Sequence, residues 1–212
     1  VQRLRTLHRR MSVRRNFKGG KLMAAKRNIM IVGVGGQGTL LASRILGNTI
    51  IAQGFDVKVS EVHGMSQRGG SVVTYVKYGD DVSSPIIDKG EADLILAFEK
   101  LEALRALPYL RNGGRIIVND RSINPMPVIT GAAEYPAGII EKLKDSADVV
   151  ALDALSLAEQ AGSAKAVNVV LIGVLAHSTD IPKEVWLETI RSTVPEKFLA
   201  VNEKAFELGY AV

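Results

Sequence analysis

The feature that most constrains the fold is a run of glycines set between two segments of different periodicity. Asn28 to Gly33 is short and apolar, and it stops at Gly33-Val34-Gly35-Gly36-Gln37-Gly38. Thr39 to Gln53 then spaces Leu41, Ile45, Leu46 and Ile50 along one face of a helix. A short apolar run of this kind is a buried strand, and the glycines let the chain turn sharply from it into the helix. Gly54 stands where a left-handed cap would close that helix. A strand, a tight glycine turn and a helix in succession are the opening unit of a layered α/β domain.

The remainder repeats the theme. Phe55 to Glu61, Ser71 to Tyr78, Ala92 to Phe98, Arg115 to Asn119 and Val149 to Leu152 read as strands. Glu99 to Leu110 reads as a helix that ends near Pro108, and Asn124-Pro125-Met126-Pro127 as an extended loop. Asp153 is placed to cap a helix over 154–161. Val167 to Ala176 is almost wholly apolar, as a helix buried on all sides would be. Asp180-Ile181-Pro182 and Pro195 open two final helices. The pattern predicts a single α/β domain of Rossmann-like type: an open, mostly parallel sheet with helices on both faces and a helical C-terminus.

Charge is distributed unevenly. The formal net charge is +5, yet residues 1–27 hold ten Lys or Arg and no acid, leaving 17 basic against 22 acidic side chains in residues 28–212. Residues 1–27 therefore read as a basic leader outside the fold, Arg-rich and acid-free like a transit peptide. The acidic remainder, poor in aromatics, argues against a nucleic-acid surface. No apolar run approaches the roughly 18–20 residues that a membrane-spanning helix needs. The chain has no cysteine, which removes thiolate nucleophiles and Cys-ligated iron–sulfur clusters from its own chemistry and fits a reducing cytoplasm.

Gly33, Gly35 and Gly38 satisfy the spacing of a dinucleotide-binding loop, in which amides at a helix start face an anion. Three readings stay open from the residues alone: a nucleotide cofactor, another phosphate or carboxylate ligand, and a turn required only for packing. In the first, Glu61 at the end of the second strand would hold a ribose. The polar stretch that follows is the most informative segment. Glu61, His63, Gly64, Met65, Ser66, Gln67, Arg68 and Gly69 place a carboxylate, an imidazole, a hydroxyl, an amide and a guanidinium among glycines. On a parallel sheet this stretch lies at the strand ends, facing the glycine loop. No nucleophile–base–orienter set or metal signature can be assembled from it. Arg68 and Glu61 could equally pair with each other or with a partner subunit.

These two motifs in order resemble a known family. The glycine loop with Leu40-Leu41-Ala42-Ser43-Arg44 behind it, followed by His63-Gly64-Met65-Ser66-Gln67-Arg68-Gly69-Gly70, is similar to the gamma-type domain of pyruvate and other 2-oxoacid:ferredoxin oxidoreductases. Phe98 to Leu110, Asn168 within Ala-Val-Asn-Val-Val, and Val194-Pro195-Glu196-Lys197-Phe198-Leu199 narrow the resemblance to the small beta subunits of its indolepyruvate branch. It covers about residues 28–210.

The resemblance implies a subunit of a complex that converts an aryl 2-oxoacid, coenzyme A and oxidised ferredoxin into acyl-CoA, carbon dioxide and reduced ferredoxin. It places thiamine diphosphate, Mg²⁺ and [4Fe–4S] clusters on a large alpha subunit. It also implies that the edge with Gly35, Gly36, Gln37, Glu61, His63, Ser66, Gln67 and Arg68 packs over that partner and could meet a phosphate of coenzyme A. No residue of this chain is expected to be catalytic. Alternatives are the gamma subunit of a pyruvate or 2-oxoisovalerate enzyme, and a self-contained NAD(P)- or flavin-binding reductase.

Overall fold

The structure, a computed structural model, describes residues 26–63 and 70–212. Six strands form one sheet: β1 (Arg27–Val34), β2 (Asp56–His63), β3 (Ser71–Gly79), β4 (Ala92–Ala97), β5 (Leu110–Asn119) and β6 (Asp148–Leu152). Their order across the sheet is β2-β3-β1-β4-β5-β6. The ladders β1–β4, β4–β5 and β5–β6 are parallel, whereas β3 is antiparallel to both β1 and β2. The sheet is thus mostly parallel, with one reversed strand that the residue pattern does not announce.

Eight α-helices occur among the described residues: α1 (Thr39–Ala52), α2 (Lys100–Ala106), α3 (Met126–Ile129), α4 (Ile139–Lys144), α5 (Ala154–Ala161), α6 (Val167–His177), α7 (Lys183–Thr193) and α8 (Leu199–Tyr210). Side-chain alternation on the central strands assigns them to two faces. Ile29, Ile31, Leu94, Leu96 and Ile117 point towards α1, α5, α6, α7 and α8. Met30, Val32, Ile95, Ala97, Ile116 and Val118 point towards α2 and α4. Both faces of β1, β4 and β5 are therefore covered, and the near-continuous apolar runs of these strands follow from that.

Two glycines set the closest helix packing. Every residue of α6 from Asn168 to Ala176 is buried, because this helix lies between the sheet and α8. A Cβ at Gly173 would stand 2.3 Å from the Phe206 carbonyl oxygen, and one at Gly209 2.0 Å from that of Val170. Only hydrogen fits at either position, since backbone cannot yield as a side-chain tip can.

Several local expectations are revised. Pro108 shortens the helix after β4: α2 stops at Ala106, and Leu107–Tyr109 is a 3-10 turn. The segment around Pro125 and Pro127 is not an extended loop throughout but includes α3, with proline within its first turn, where a missing amide hydrogen costs nothing. Gly54 does adopt the left-handed conformation, with φ of +83°.

Candidate functional site: the carboxyl edge of the sheet

β1, β4, β5 and β6 run in one direction, and β2 shares it because both it and β1 oppose β3. Their carboxyl ends therefore lie on one edge. The register aligns Gly33 with Val72 and Val72 with His63, so the end of β2 stands one strand beyond β3 from the glycine loop. The Gly35 amide donates to the Gly70 carbonyl at 2.9 Å. This bond ties the loop to the first described residue after the polar stretch. Gly64, Met65, Ser66, Gln67, Arg68 and Gly69 lie outside the described residues. His63 is placed through its backbone as the last residue of β2.

The glycine loop is held by its own glutamine. Gln37 Oε1 accepts from the Val34 amide at 2.7 Å, and its Nε2 donates to the Phe98 carbonyl at 3.1 Å. The side chain crosses Gly33, where a Cβ would come within 2.9 Å of Gln37 Oε1 and 3.0 Å of the Phe98 Cβ. Gly38 has φ of +84°, and its Cβ would meet the Asn168 amide nitrogen at 2.7 Å. These two glycines answer to packing. Gly36 differs: its φ is +96° and a Cβ would meet nothing within 4 Å. The amides of Gly36, Gly38, Thr39 and Leu40 take no partner among the described residues. The start of α1 thus keeps free donors on its positive end.

The dinucleotide geometry is altered by β3. In a nucleotide-binding unit the acidic residue ends the strand beside β1; here β3 stands between, moving Glu61 from about 5 Å to about 10 Å in sheet spacing. Glu61 also accepts a hydrogen bond from Thr74 Oγ1 at 3.1 Å.

The ends of the central strands are joined by polar groups, of which Asn119, Glu99, Glu102 and Tyr135 were not among the candidate residues. The Phe98 carbonyl accepts from Gln37 and also from Asn119 Nδ2 at 3.3 Å. Asn119 Oδ1 accepts from the Ala154 amide at 3.1 Å, beside the cap that Asp153 gives α5 by accepting from Leu155 and Ser156. Glu99, 1 % exposed, accepts from the amides of Glu102 at 2.9 Å and Ile123 at 3.1 Å, and from the Tyr135 hydroxyl. Burial, and next the Glu99 carboxylate, push the Tyr135 hydroxyl pKa well above the ordinary tyrosine value. Glu102, also buried, accepts from Ser71 Oγ at 2.6 Å and Arg105 at 2.5 Å. A signal existed for some of these: polar residues that close apolar strand runs, as Glu99 and Asn119 do, stand at the carboxyl edge of a parallel sheet.

Large apolar side chains surround this framework without cover. Leu40 is 51 % exposed, Val62 53 %, Met126 65 % and Ile129 64 %. Leu40 opens α1, Val62 is the penultimate residue of β2, and α3 follows β5. Leu40 and Val62 thus stand at the carboxyl edge, and Met126 and Ile129 in the segment that leaves it after β5. Among the described residues no three His, Asp or Glu side chains gather into a metal-binding group, and the sequence has no cysteine to supply a thiolate ligand.

Residues 28–212 match the family described as Pyruvate ferredoxin/flavodoxin oxidoreductase. The chain belongs to this family. It is 46 % identical over 190 residues to "Indolepyruvate oxidoreductase subunit IorB" of Pyrococcus horikoshii, covering 86 % of this chain and 93 % of that protein. It is 26 % identical over 186 residues to "Ketoisovalerate oxidoreductase subunit VorA" of Methanothermobacter marburgensis, with 85 % of this chain aligned to 35 % of that longer one. The keto/oxoacid ferredoxin oxidoreductase gamma subunit of Geobacter sulfurreducens has the same fold, with a TM-score of 0.66, 24 % identity, and coverage of 87 % of this chain and 96 % of that one. No helix among the described residues is long and apolar enough to cross a membrane.

Proposed function

We propose that this chain is the small, cluster-free subunit of a 2-oxoacid:ferredoxin oxidoreductase of the indolepyruvate type. With a large subunit it converts an aryl 2-oxoacid, coenzyme A and oxidised ferredoxin into acyl-CoA, carbon dioxide and reduced ferredoxin in the cytoplasm. It is inactive alone. Thiamine diphosphate, Mg²⁺ and [4Fe–4S] clusters belong to the partner. Residues 28–212 are the working domain, and residues 1–27 take no part in the reaction.

The observation that carries this reading is the near full-length similarity to proteins named as indolepyruvate oxidoreductase subunits. Two further facts support a partner-facing role. The same domain makes up about a third of the longer VorA chain, so it occurs both covalently joined to further sequence and separately. Leu40 and Val62 are exposed at this edge, and Met126 and Ile129 are exposed on α3, in the segment that leaves it after β5; uncovered apolar side chains of this size suit an interaction surface. That edge docks on the large subunit. Gly33, Gly35, Gly36, Gly38, Glu61 and the backbone of His63 belong to that edge, and by the family resemblance Gly64, Met65, Ser66, Gln67, Arg68 and Gly69 contact the partner as well, with Arg68 and the free loop amides available to a phosphate of coenzyme A. Gln37 acts there through the loop shape it holds, since its amide is committed inward.

Reconstitution tests the proposal. Ferredoxin reduction with indolepyruvate and coenzyme A is expected only when this chain and the large subunit are combined. Full activity of the large subunit without this chain, or turnover by this chain alone, would refute it.

A further inference from the structure

The opposite edge of the sheet carries a cavity of about 360 Å³ whose lining is unusual in its charges. The β4–β5 ladder creates it. Ala92 pairs with Leu110 and Leu94 with Arg115, so one residue of β4 faces four of β5, and 111–114 swing out of the ladder. Gly113 adopts a φ of +72° to make this path. A Cβ at Gly114 would stand 2.7 Å from the Leu110 side chain. Bulges of this kind re-aim side chains. Here Arg111 is turned back onto Asp93 at 2.6 Å, and Arg115, back in the ladder opposite Asp148, pairs with that carboxylate at 2.7 Å and donates to Ser178 Oγ at 3.3 Å.

Three guanidinium groups and three carboxylates line the cavity: Arg27, Arg111 and Arg115 against Asp93, Asp148 and Asp180. Two groups are not used up by this internal pairing. Arg27 approaches Asp93 only at 3.8 Å with its side chain half exposed, and Asp180 forms no ion pair among the described residues. Between the charges the lining is mixed: Ile29, Leu94 and Tyr78, all buried, give a small apolar floor beside Ser178 and Thr179. Equal numbers of opposite charges give little net field for a simple anion or cation. A small molecule that carries both charges can satisfy both spare groups at once. Its apolar part can then cover the floor, in a cavity within the usual size range for small ligands.

We propose that this cavity binds a small zwitterion with an apolar side chain, of the α-amino acid class, its carboxylate on Arg27 and its ammonium on Asp180. The proposal goes beyond the subunit role above and stands independently of it. The full chain is titrated calorimetrically with L-phenylalanine and L-leucine, and with 3-phenylpropanoate and 2-phenylethylamine as analogues of single charge. Saturable binding of at least one amino acid is expected, with each analogue weaker by about tenfold or more. Arg27→Gln and Asp180→Asn should each weaken amino acid binding by about tenfold or more, as loss of one charged partner does. Because both groups are loosely paired in the free protein, the unfolding midpoint of each variant should stay near that of the parent. Absence of saturable binding by both amino acids, equal binding of a single-charge analogue, or unchanged affinity in both variants would overturn the proposal.

Discussion

The two edges of the sheet are built from different polar chemistry. At the carboxyl edge the groups that fix the chain are buried or partly buried and gather backbone amides and carbonyls: Gln37 and Asn119 share the Phe98 carbonyl, and the Glu99 carboxylate takes two amides and a hydroxyl. At the amino edge they are half-exposed ion pairs, Arg111 with Asp93 and Arg115 with Asp148. Buried donors and acceptors are costly to leave unmet, whereas exposed charges fall back on water. The first arrangement therefore holds one backbone path rigidly, with Leu40 and Val62 uncovered beside it. The second leaves charges able to change partners. A rigid, apolar edge suits docking of a protein; a charged, yielding edge suits capture of a small molecule.

The contrast has consequences for stability. The largest effect is expected from Glu99→Ala, which strips the acceptor from the Glu102 and Ile123 amides and the Tyr135 hydroxyl. Leaving buried donors unmet should cost about 3 kcal/mol, with Asn119→Ala next at about 2 kcal/mol, by denaturant unfolding. An effect below about 1 kcal/mol for Glu99→Ala would remove the distinction between the edges. The same group has a pH signature. Tyr135 holds its proton to higher pH in the fold than in the unfolded chain. Its contribution is complete below the ordinary tyrosine pKa and is lost as pH rises above it. The smallest effect is expected at the amino edge, where Arg115→Ala removes an exposed pair with Asp148 and should cost no more than about 1 kcal/mol.

Sequence periodicity was enough for the layered α/β architecture, the buried α6 and the caps at Gly54 and Asp153, because each depends on neighbours within a few residues. Strand direction depends on what lies across the sheet, and alternation is the same in either sense. A clue to β3 was nonetheless present. Only residues 64–70 separate β2 from β3, which is too short for a parallel crossover and sufficient for a hairpin. The glycine spacing was legible, but its division of labour was not. Gly33 and Gly38 are required by Gln37, Phe98 and Asn168, and two of those partners come from strands or helices far along the chain. Of the bulge at 111–114 the sequence shows only the adjacent Gly113 and Gly114, since the pairing of Arg111 and Arg115 is set by Asp93 and Asp148 on neighbouring strands. The motif residues 64–69 of the candidate site lie outside the described residues, so their role is carried by the family resemblance and by the position of their flanking residues.

The account rests most heavily on the carboxyl edge as the docking surface for the large subunit. Met126 and Ile129 are more than half exposed, so changing both to Asp should leave the fold and its unfolding midpoint nearly unaltered. Affinity of the chain for the large subunit, measured by sedimentation of the mixed subunits, is then the direct test. A loss of about tenfold or more in the Met126→Asp, Ile129→Asp variant, with Asp180→Asn at the amino edge unchanged, is the expected result. Undiminished assembly of the carboxyl-edge variant, or loss of assembly on changing Asp180 instead, would contradict the account.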